Sequence, residues 1–298
     1  MRSGVLILAG ATASGKTDLA IALAKRFDAE IVGADSRQIY RGMPVGTAAP
    51  TPQQQQAVRH HLVGFLDPHE RYSAARFSAD ATAAIKEIHA RGKRAIVVGG
   101  TGFYIRALTG AVDLAPQYDE EIRQRLAHEA KLHDAQFLYH WLTLRDPRRA
   151  AMLYAGDEYR VLRALEVALA PPGATLRSEA LQSLASEGIP FLKVLLQIDV
   201  AQLDERIERR TDAMLSGGLV EEAERIGPGA IAASAVGYPQ ALAYVRGWST
   251  HTELRTLLAR ATRRYARRQA TWFRSEPQMH AARAADVERL AREKLRWV

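Results

Sequence analysis

GATASGKT, Gly10–Thr17, is the stretch whose reading decides the fold. An apolar run, Val5-Leu6-Ile7-Leu8-Ala9, leads into it, and a helix-like stretch, Asp18–Phe27, follows. Glycine, four residues, then Gly-Lys-Thr between a strand and a helix is the arrangement of a phosphate-binding P-loop. Its backbone N–H groups wrap phosphate oxygens, and the helix N-terminus adds a positive end. The loop backbone of Gly10, Ala11, Thr12, Ala13, Ser14 and Gly15 supplies the donors, Lys16 neutralises charge, and the Thr17 hydroxyl is a candidate magnesium ligand. A bound di- or triphosphate follows from this pattern. Whether it is ATP or another diphosphate does not.

Outward from the loop, strand and helix signals alternate as a parallel α/β sheet requires. Glu30–Ala34 reads as a second strand and His61–Gly64 as a short third. Ala74–Arg91 reads as a helix feeding a strand at Ala95–Val98, which ends in the tight turn Gly99-Gly100-Thr101-Gly102. Gln117–Ala170 loses the strand rhythm and reads as several polar helices, broken by Pro171-Pro172-Gly173. A new strand is expected at Phe191–Ile198, and from Asp204 the chain reads as helical to an Arg-rich end. The expected fold is therefore α/β: a P-loop NTPase-like parallel sheet flanked by helices, with an inserted all-helical domain and a helical C-terminal region. The core would be discontinuous, residues 1–114 and 190–298, and the insert would span residues 115–189.

Composition bounds the class. The 298 residues are 47% hydrophobic and 25% charged, enough to build a substantial core. No run is long and apolar enough to span a bilayer, and the first strand begins too early to leave room for a signal peptide. No cysteine is present, which excludes disulfides and thiolate-bound zinc. A cytoplasmic protein with no membrane partner is the expectation. The formal net charge of +8 comes overwhelmingly from arginine spread along the chain. It favours polyanionic partners without deciding between them.

Three further constellations carry chemistry. Asp35, in Ala34-Asp35-Ser36-Arg37-Gln38, follows the second strand, where ligands gather in open α/β sheets. Its carboxylate suits a general base or a metal-bound water, and equally suits an N-cap for the next helix. Ser36, Arg37 and Gln38 offer hydrogen bonds to a polar ligand, as a surface turn also would. Thr101 stands at the equivalent position after the Ala95–Val98 strand, flanked by glycines that let backbone approach a ligand closely. The third, Arg255–Ser275, contains no acid, and Arg260, Arg263, Arg264, Arg267 and Arg268 recur at helical spacing. Such a face suits RNA phosphates, with Tyr265 interleaved, whereas Trp272 and Phe273 read as core residues. Arg123, Arg125, Arg160 and Arg163 make the inserted helices a second candidate RNA surface. His60-His61 would diverge on a strand and forms no metal signature.

Together these stretches resemble the tRNA dimethylallyltransferase family. The resemblance rests on Gly10–Thr17, Asp35–Gly42 (DSRQIYRG), Val98–Tyr104 (VGGTGFY), Asp157–Val167 (DEYRVLRALEV), Ala235–Tyr238 (AVGY) and Ala261–Arg274 (ATRRYARRQATWFR). It implies transfer of a dimethylallyl group from dimethylallyl diphosphate to the exocyclic amine of the adenosine 3′ of the anticodon in tRNA. The P-loop would then hold a prenyl diphosphate. Lys16, Thr17 with Mg2+, the loop N–H groups and Arg210 would bind it, Asp35 would take the amine proton, and Thr101 would orient the reacting groups. Ser36, Arg37, Gln38, Arg123, Tyr159, Arg160, Val161, Leu162 and Arg163 would hold the anticodon arm, with Arg263 and Arg267 on the basic helix. A monomer is the expected state. Ala11 stands where the family commonly has proline, Ala155-Gly156 where Pro-Asn is usual, and Pro239 where a basic residue is common. The rival readings are a P-loop kinase for a small metabolite or nucleotide, a prenyltransferase for free adenylate, and a non-catalytic RNA-binding protein.

Overall fold

Five apolar residues in a row make a stable strand only where both faces of the sheet are covered, and β1, Val5–Ala9, is buried at every position. The computed structural model describes residues 3–112, 120–170 and 182–298. The chain divides into two compact units, one of residues 1–112 and 181–298, the other of residues 113–180.

In the first unit β1 runs into α1 (Lys16–Arg26), β2 (Ala29–Gly33), α2 (Pro52–Ala57), β3 (His60–His61), α3 (Ala74–Ala90), β4 (Arg94–Gly99) and α4 (Gly102–Thr109). The second unit holds α5 (Glu120–Leu132), α6 (Ala135–Arg145), α7 (Pro147–Ala150) and α8 (Glu158–Ala168). The first unit resumes with β5 (Phe191–Leu196), α9 (Val200–Ser216), α10 (Leu219–Ile226), α11 (Tyr238–Val245), α12 (His251–Arg274), β6 (Met279–Ala282) and α13 (Ala284–Leu295). The strands form one sheet in the order β3-β2-β4-β1-β5-β6, with every neighbouring pair parallel. On one side Leu6, Leu8 and Ile96 pack with Leu23 and Phe27 of α1 and Val287 of α13. A separate cluster joins Ile39 and Met43 to Leu219, Tyr238 and Leu258. The second unit has its own small core around Leu138, Leu142, Val161 and Leu165.

The α/β architecture agrees with the sequence reading, with differences at the ends of elements and one strand more. Helix α1 begins at Lys16, so Lys16 and Thr17 form its first turn. The third strand is His60–His61, because Leu62 takes a left-handed backbone and ends it. The strand expected at Phe191–Ile198 stops at Leu196, and the helix expected from Asp204 starts at Val200. The expectation of helix alone after Asp204 is corrected by β6. Met279-His280-Ala281-Ala282 has neither β-branched residues nor alternation, so its strand form comes from pairing with Lys193–Leu196. Gln278, at φ 56°, separates it from the end of α12. The Pro171-Pro172-Gly173 break, the start of the expected helical block at 117–119 and the insert boundary at 114/115 lie outside the described residues, and at the 189/190 boundary Pro190 leads directly into β5.

Candidate active site

The loop Gly10–Thr17 connects β1 to α1 with the backbone angles a phosphate cradle needs. Ala13 at φ 62° and Gly15 at φ 88° are left-handed, which turns successive N–H groups toward a common centre. Gly15 is the N-cap of α1 and no side chain caps that end, so the first-turn amides remain open to an anion. Lys16 Nζ donates to the Ala11 carbonyl at 2.5 Å, folding the lysine back over the loop. The Ser14 hydroxyl is buried with no hydrogen-bond partner among the described residues. A buried donor left unmade costs about 1–3 kcal/mol, a cost offset when a ligand oxygen accepts from it.

A cavity of about 500 Å³ opens beside the loop. Lys16, Arg37, Arg206, Arg210 and Arg268 bring positive charge to it, against Asp18 and Asp35. Burial lowers the Lys16 pKa to about 8, with Asp35 opposing the shift and Arg210 adding to it. Burial also lowers that of Arg210, whose Nε is buried without a partner among the described residues, and Asp35 again opposes. Tyr265 is pushed up by burial and then by Asp35. Asp35 therefore sits in the field of several cations and a neutral phenol. The site is built for more negative charge than the protein supplies.

Asp35 follows β2, but the N-cap expectation is corrected: residues 36–39 form a turn and the next helix is α2, so Asp35 caps a turn and no helix. Its Oδ1 accepts from the backbone N–H of Arg37 at 2.9 Å and of Gln38 at 3.4 Å, an Asx turn that fixes the carboxylate. The other oxygen, Oδ2, has no protein hydrogen bond among the described residues. Thr101 is the N-cap of α4, and its Oγ1 accepts from the Ser36 N–H at 2.9 Å and donates to Ser36 Oγ at 3.3 Å. Gln38 points elsewhere: its Nε2 donates to the carbonyls of Thr47 and Ala48, pinning the opposite wall. Arg210 Nη2 reaches the same Thr47 carbonyl at 3.4 Å. That wall is held from behind by buried Glu222, which accepts from the N–H of Val45 and Gly46 and from the Tyr238 hydroxyl at 2.7 Å. Here the AVGY stretch acquires a physical role.

The structure thus brings together the P-loop, Asp35, Ser36, Arg37, Gln38, Thr101 and Arg210. The other sequence candidates fall in different surroundings. Arg263 bonds Asp204 and Glu208 of α9, so its charge is already matched. Arg267 is exposed on α12 with no ion pair among the described residues. In the second unit Tyr159 and Arg160 are exposed, and Arg160 pairs with Asp157 at 3.1 Å. Arg123 is half-buried, and Arg163 pairs with Glu166 at 2.8 Å. Val161 is fully buried in that unit's core and Leu162 packs against the same core, which removes both side chains from the outward-facing set. The apolar face of α8 had to be buried somewhere, and positions 161, 164 and 165 form it. Phe273 is buried as expected, while Trp272 is half-buried.

Two residues at the cavity escaped the sequence reading. Arg206 Nη1 donates to the Ser14 carbonyl at 3.0 Å; its signal was the i, i+4 spacing from Arg210 on one helix face. Gln269 contacts both glycine-rich turns, and no local pattern marks it.

Comparison with known proteins agrees with this geometry. A family model described as IPP transferase matches residues 38–276. A tRNA dimethylallyltransferase 2 of Geotalea uraniireducens is 44% identical over 91% of this chain and 89% of its own length. A tRNA dimethylallyltransferase of Anaeromyxobacter dehalogenans is 45% identical over 91% of this chain and 92% of its own. Among solved structures, the full-length tRNA isopentenylpyrophosphate transferase of Bacillus halodurans is similar with a TM-score of 0.71 and 32% identity, covering 99% of this chain and 97% of that one. The P-loop sheet and its cation-lined cavity define a phosphate-handling enzyme of the α/β class. The chain belongs to the IPP transferase family.

Proposed function

We propose that this chain transfers a dimethylallyl group from dimethylallyl diphosphate to tRNA, at the exocyclic amine of the adenosine 3′ of the anticodon, releasing diphosphate. The observation that carries this reading is the placing of an anchored carboxylate, Asp35, in the same cavity as a P-loop and several cations. The adenine amine is a weak nucleophile because its lone pair is delocalised into the ring. As its nitrogen bonds to the prenyl carbon, the carbon–oxygen bond to diphosphate breaks and the electron pair leaves with that oxygen. The loop N–H groups, Lys16, Arg206 and Arg210 meet the growing negative charge. Oδ2 of Asp35 takes the amine proton. Thr101 holds the Ser36 backbone beside it. The kinase reading is not favoured, because the family and its relatives are transferases acting on tRNA.

Magnesium fits the donor set: Thr17, Asp18 and Asp35 line the cavity with oxygen donors only, and no cluster of three metal-ligating side chains exists among the described residues. Magnesium is commonly held by one or two protein oxygens plus substrate phosphates, and here Thr17 would carry it. When bound, it supplies charge neutralisation for the diphosphate. For tRNA, Arg267 on α12 and Tyr159, Arg160, Arg163 and Arg123 on the helical unit are the proposed contacts, and Arg263 contributes chiefly to holding α9. The target base must leave its stack to reach Asp35. Among the described residues no helix is long and apolar enough to cross a membrane; a cytoplasmic location is part of the proposal.

The test is direct. Incubation with unmodified tRNA, Mg2+ and dimethylallyl diphosphate, followed by mass analysis of the digested nucleosides, is expected to show a dimethylallyl adduct on that adenosine. Unmodified adenosine, or preferential binding and turnover of ATP, would sink the reading.

A further inference from the structure

A buried side-chain amide must satisfy both its ends, and Gln269 does so by tying together two turns of the site. Its Oε1 accepts from the Thr12 N–H of the P-loop at 2.8 Å, and its Nε2 donates to the Gly100 carbonyl at 2.9 Å. The side chain is buried although its neighbours Arg267 and Arg268 are exposed. The turn is shaped around it: a Cβ on Gly100 would lie 2.1 Å from Gln269 Nε2. One helical turn further along α12, Trp272 closes on the other side of Thr101, since a Cβ on Gly102 would lie 2.0 Å from its Nε1. The glycines on either side of Thr101 are thus each met by a side chain of one helix. From Thr101 the links continue through Ser36 to Asp35.

We infer that Gln269 is a positioning residue for the transfer reaction: its amide sets the spacing between the phosphate loop that holds the donor and the turn that places Thr101 and Asp35. The inference rests on the prenyl-transfer reading above. Thr12 N–H is engaged by Gln269, so the amide spaces the loop through one of its own backbone donors. A displacement of about 1 Å between reacting groups costs on the order of 100-fold in rate while leaving separate binding of each substrate nearly intact.

The experiment compares wild type with Q269M, which keeps the length and loses both hydrogen bonds, and with Q269E, which keeps only the acceptor. Single-turnover transfer from dimethylallyl diphosphate to tRNA is measured beside equilibrium binding of each substrate. For Q269M the expected result is a rate loss of about 10- to 100-fold with each affinity within about threefold of wild type. For Q269E the deficit shrinks as pH falls, because a protonated carboxyl can again donate to the Gly100 carbonyl. Q269M within about threefold of the wild-type rate overturns the inference, as does a parallel loss of rate and both affinities, which marks general disruption. Should Q269M fail to fold, Q269E is decisive through its pH profile: a deficit that does not change with pH overturns the inference. Wild type that transfers nothing in this assay would instead bring down the prenyl-transfer reading, and the positioning role with it.

Discussion

Two glycine-rich turns leave adjacent strands of the sheet in register, Ala9 of β1 lying opposite Gly99 of β4, yet they use glycine in opposite ways. In the P-loop, Gly15 is required for its angle: it caps α1 at φ 88°, where the nearest obstacle to a Cβ is the flexible end of Arg206 at 2.8 Å. In the β4 turn, Gly99, Gly100 and Gly102 have no left-handed angle and are required for space. The first turn is shaped by its own backbone so that it can meet a ligand. The second is shaped by partners distant in sequence so that it can hold a side chain still. On the proposed reading, binding and positioning are thereby divided between neighbouring strand ends.

The largest expected effect tests that division. Asp35→Asn keeps the oxygen that accepts from Arg37 and Gln38 but removes the base, so transfer should slow by about 10²- to 10⁴-fold with donor affinity changed less than about threefold. Single-turnover kinetics beside donor binding will decide, and equal losses in both would erase the distinction. Next, Gly99→Ala places a Cβ 2.0 Å from the Ala34 carbonyl oxygen, where only backbone movement can relieve the clash. Denaturant unfolding should show a loss of about 3 kcal/mol or more, against about 1–2 kcal/mol for Gly15→Ala, whose cost is its left-handed angle. A reversed order would break the comparison.

The third effect is electrostatic. Burial lowers the Lys16 pKa to about 8, so in the free enzyme Lys16 is charged below that pH and loses its proton above it. Diphosphate binding favours the charged form. Affinity measured by titration should therefore hold steady below about pH 8 and weaken above it by up to about tenfold per unit. A lysine at its ordinary value would show no such change until above about pH 10. Smallest is Ala13→Gly. Relief of left-handed strain of about 1 kcal/mol, against roughly 0.5 kcal/mol of backbone entropy, gives a net gain near 0.5 kcal/mol, readable as a higher denaturation midpoint.

This contrast explains what could be read from the sequence. The P-loop was legible because its requirements are local: a buried apolar strand, fixed glycines and a helix start lie within a few residues of one another. Asp35 was legible as a position, but the helix it was expected to cap is a turn, held by one carboxylate oxygen, and its role as base is our proposal. Gln269 was not legible, because its partners are Thr12 and Gly100 and nothing near residue 269 records them. For the same reason β6 was missed: its strand form comes from β5. Val161 was read from its place in a motif, whereas helical periodicity puts it on the buried face of α8. Arg263 reads as a tRNA contact because its counter-charges lie on another helix, far off in sequence.

That pairing has a consequence for how the basic helix would respond to ionic strength. Arg255 and Arg263 already hold Glu208, Asp212 and Asp204, and at best they exchange a carboxylate contact for a phosphate one when a polyanion arrives. Arg260, Arg264, Arg267 and Arg268 are exposed and have no carboxylate partner among the described residues. Each of these that meets a phosphate releases a condensed counterion and adds about 0.7–0.9 to the slope of log affinity against log salt. Counting arginines along α12 therefore overstates its sensitivity to salt; the carboxylates of α9 have already set aside part of its charge for holding the two helices together.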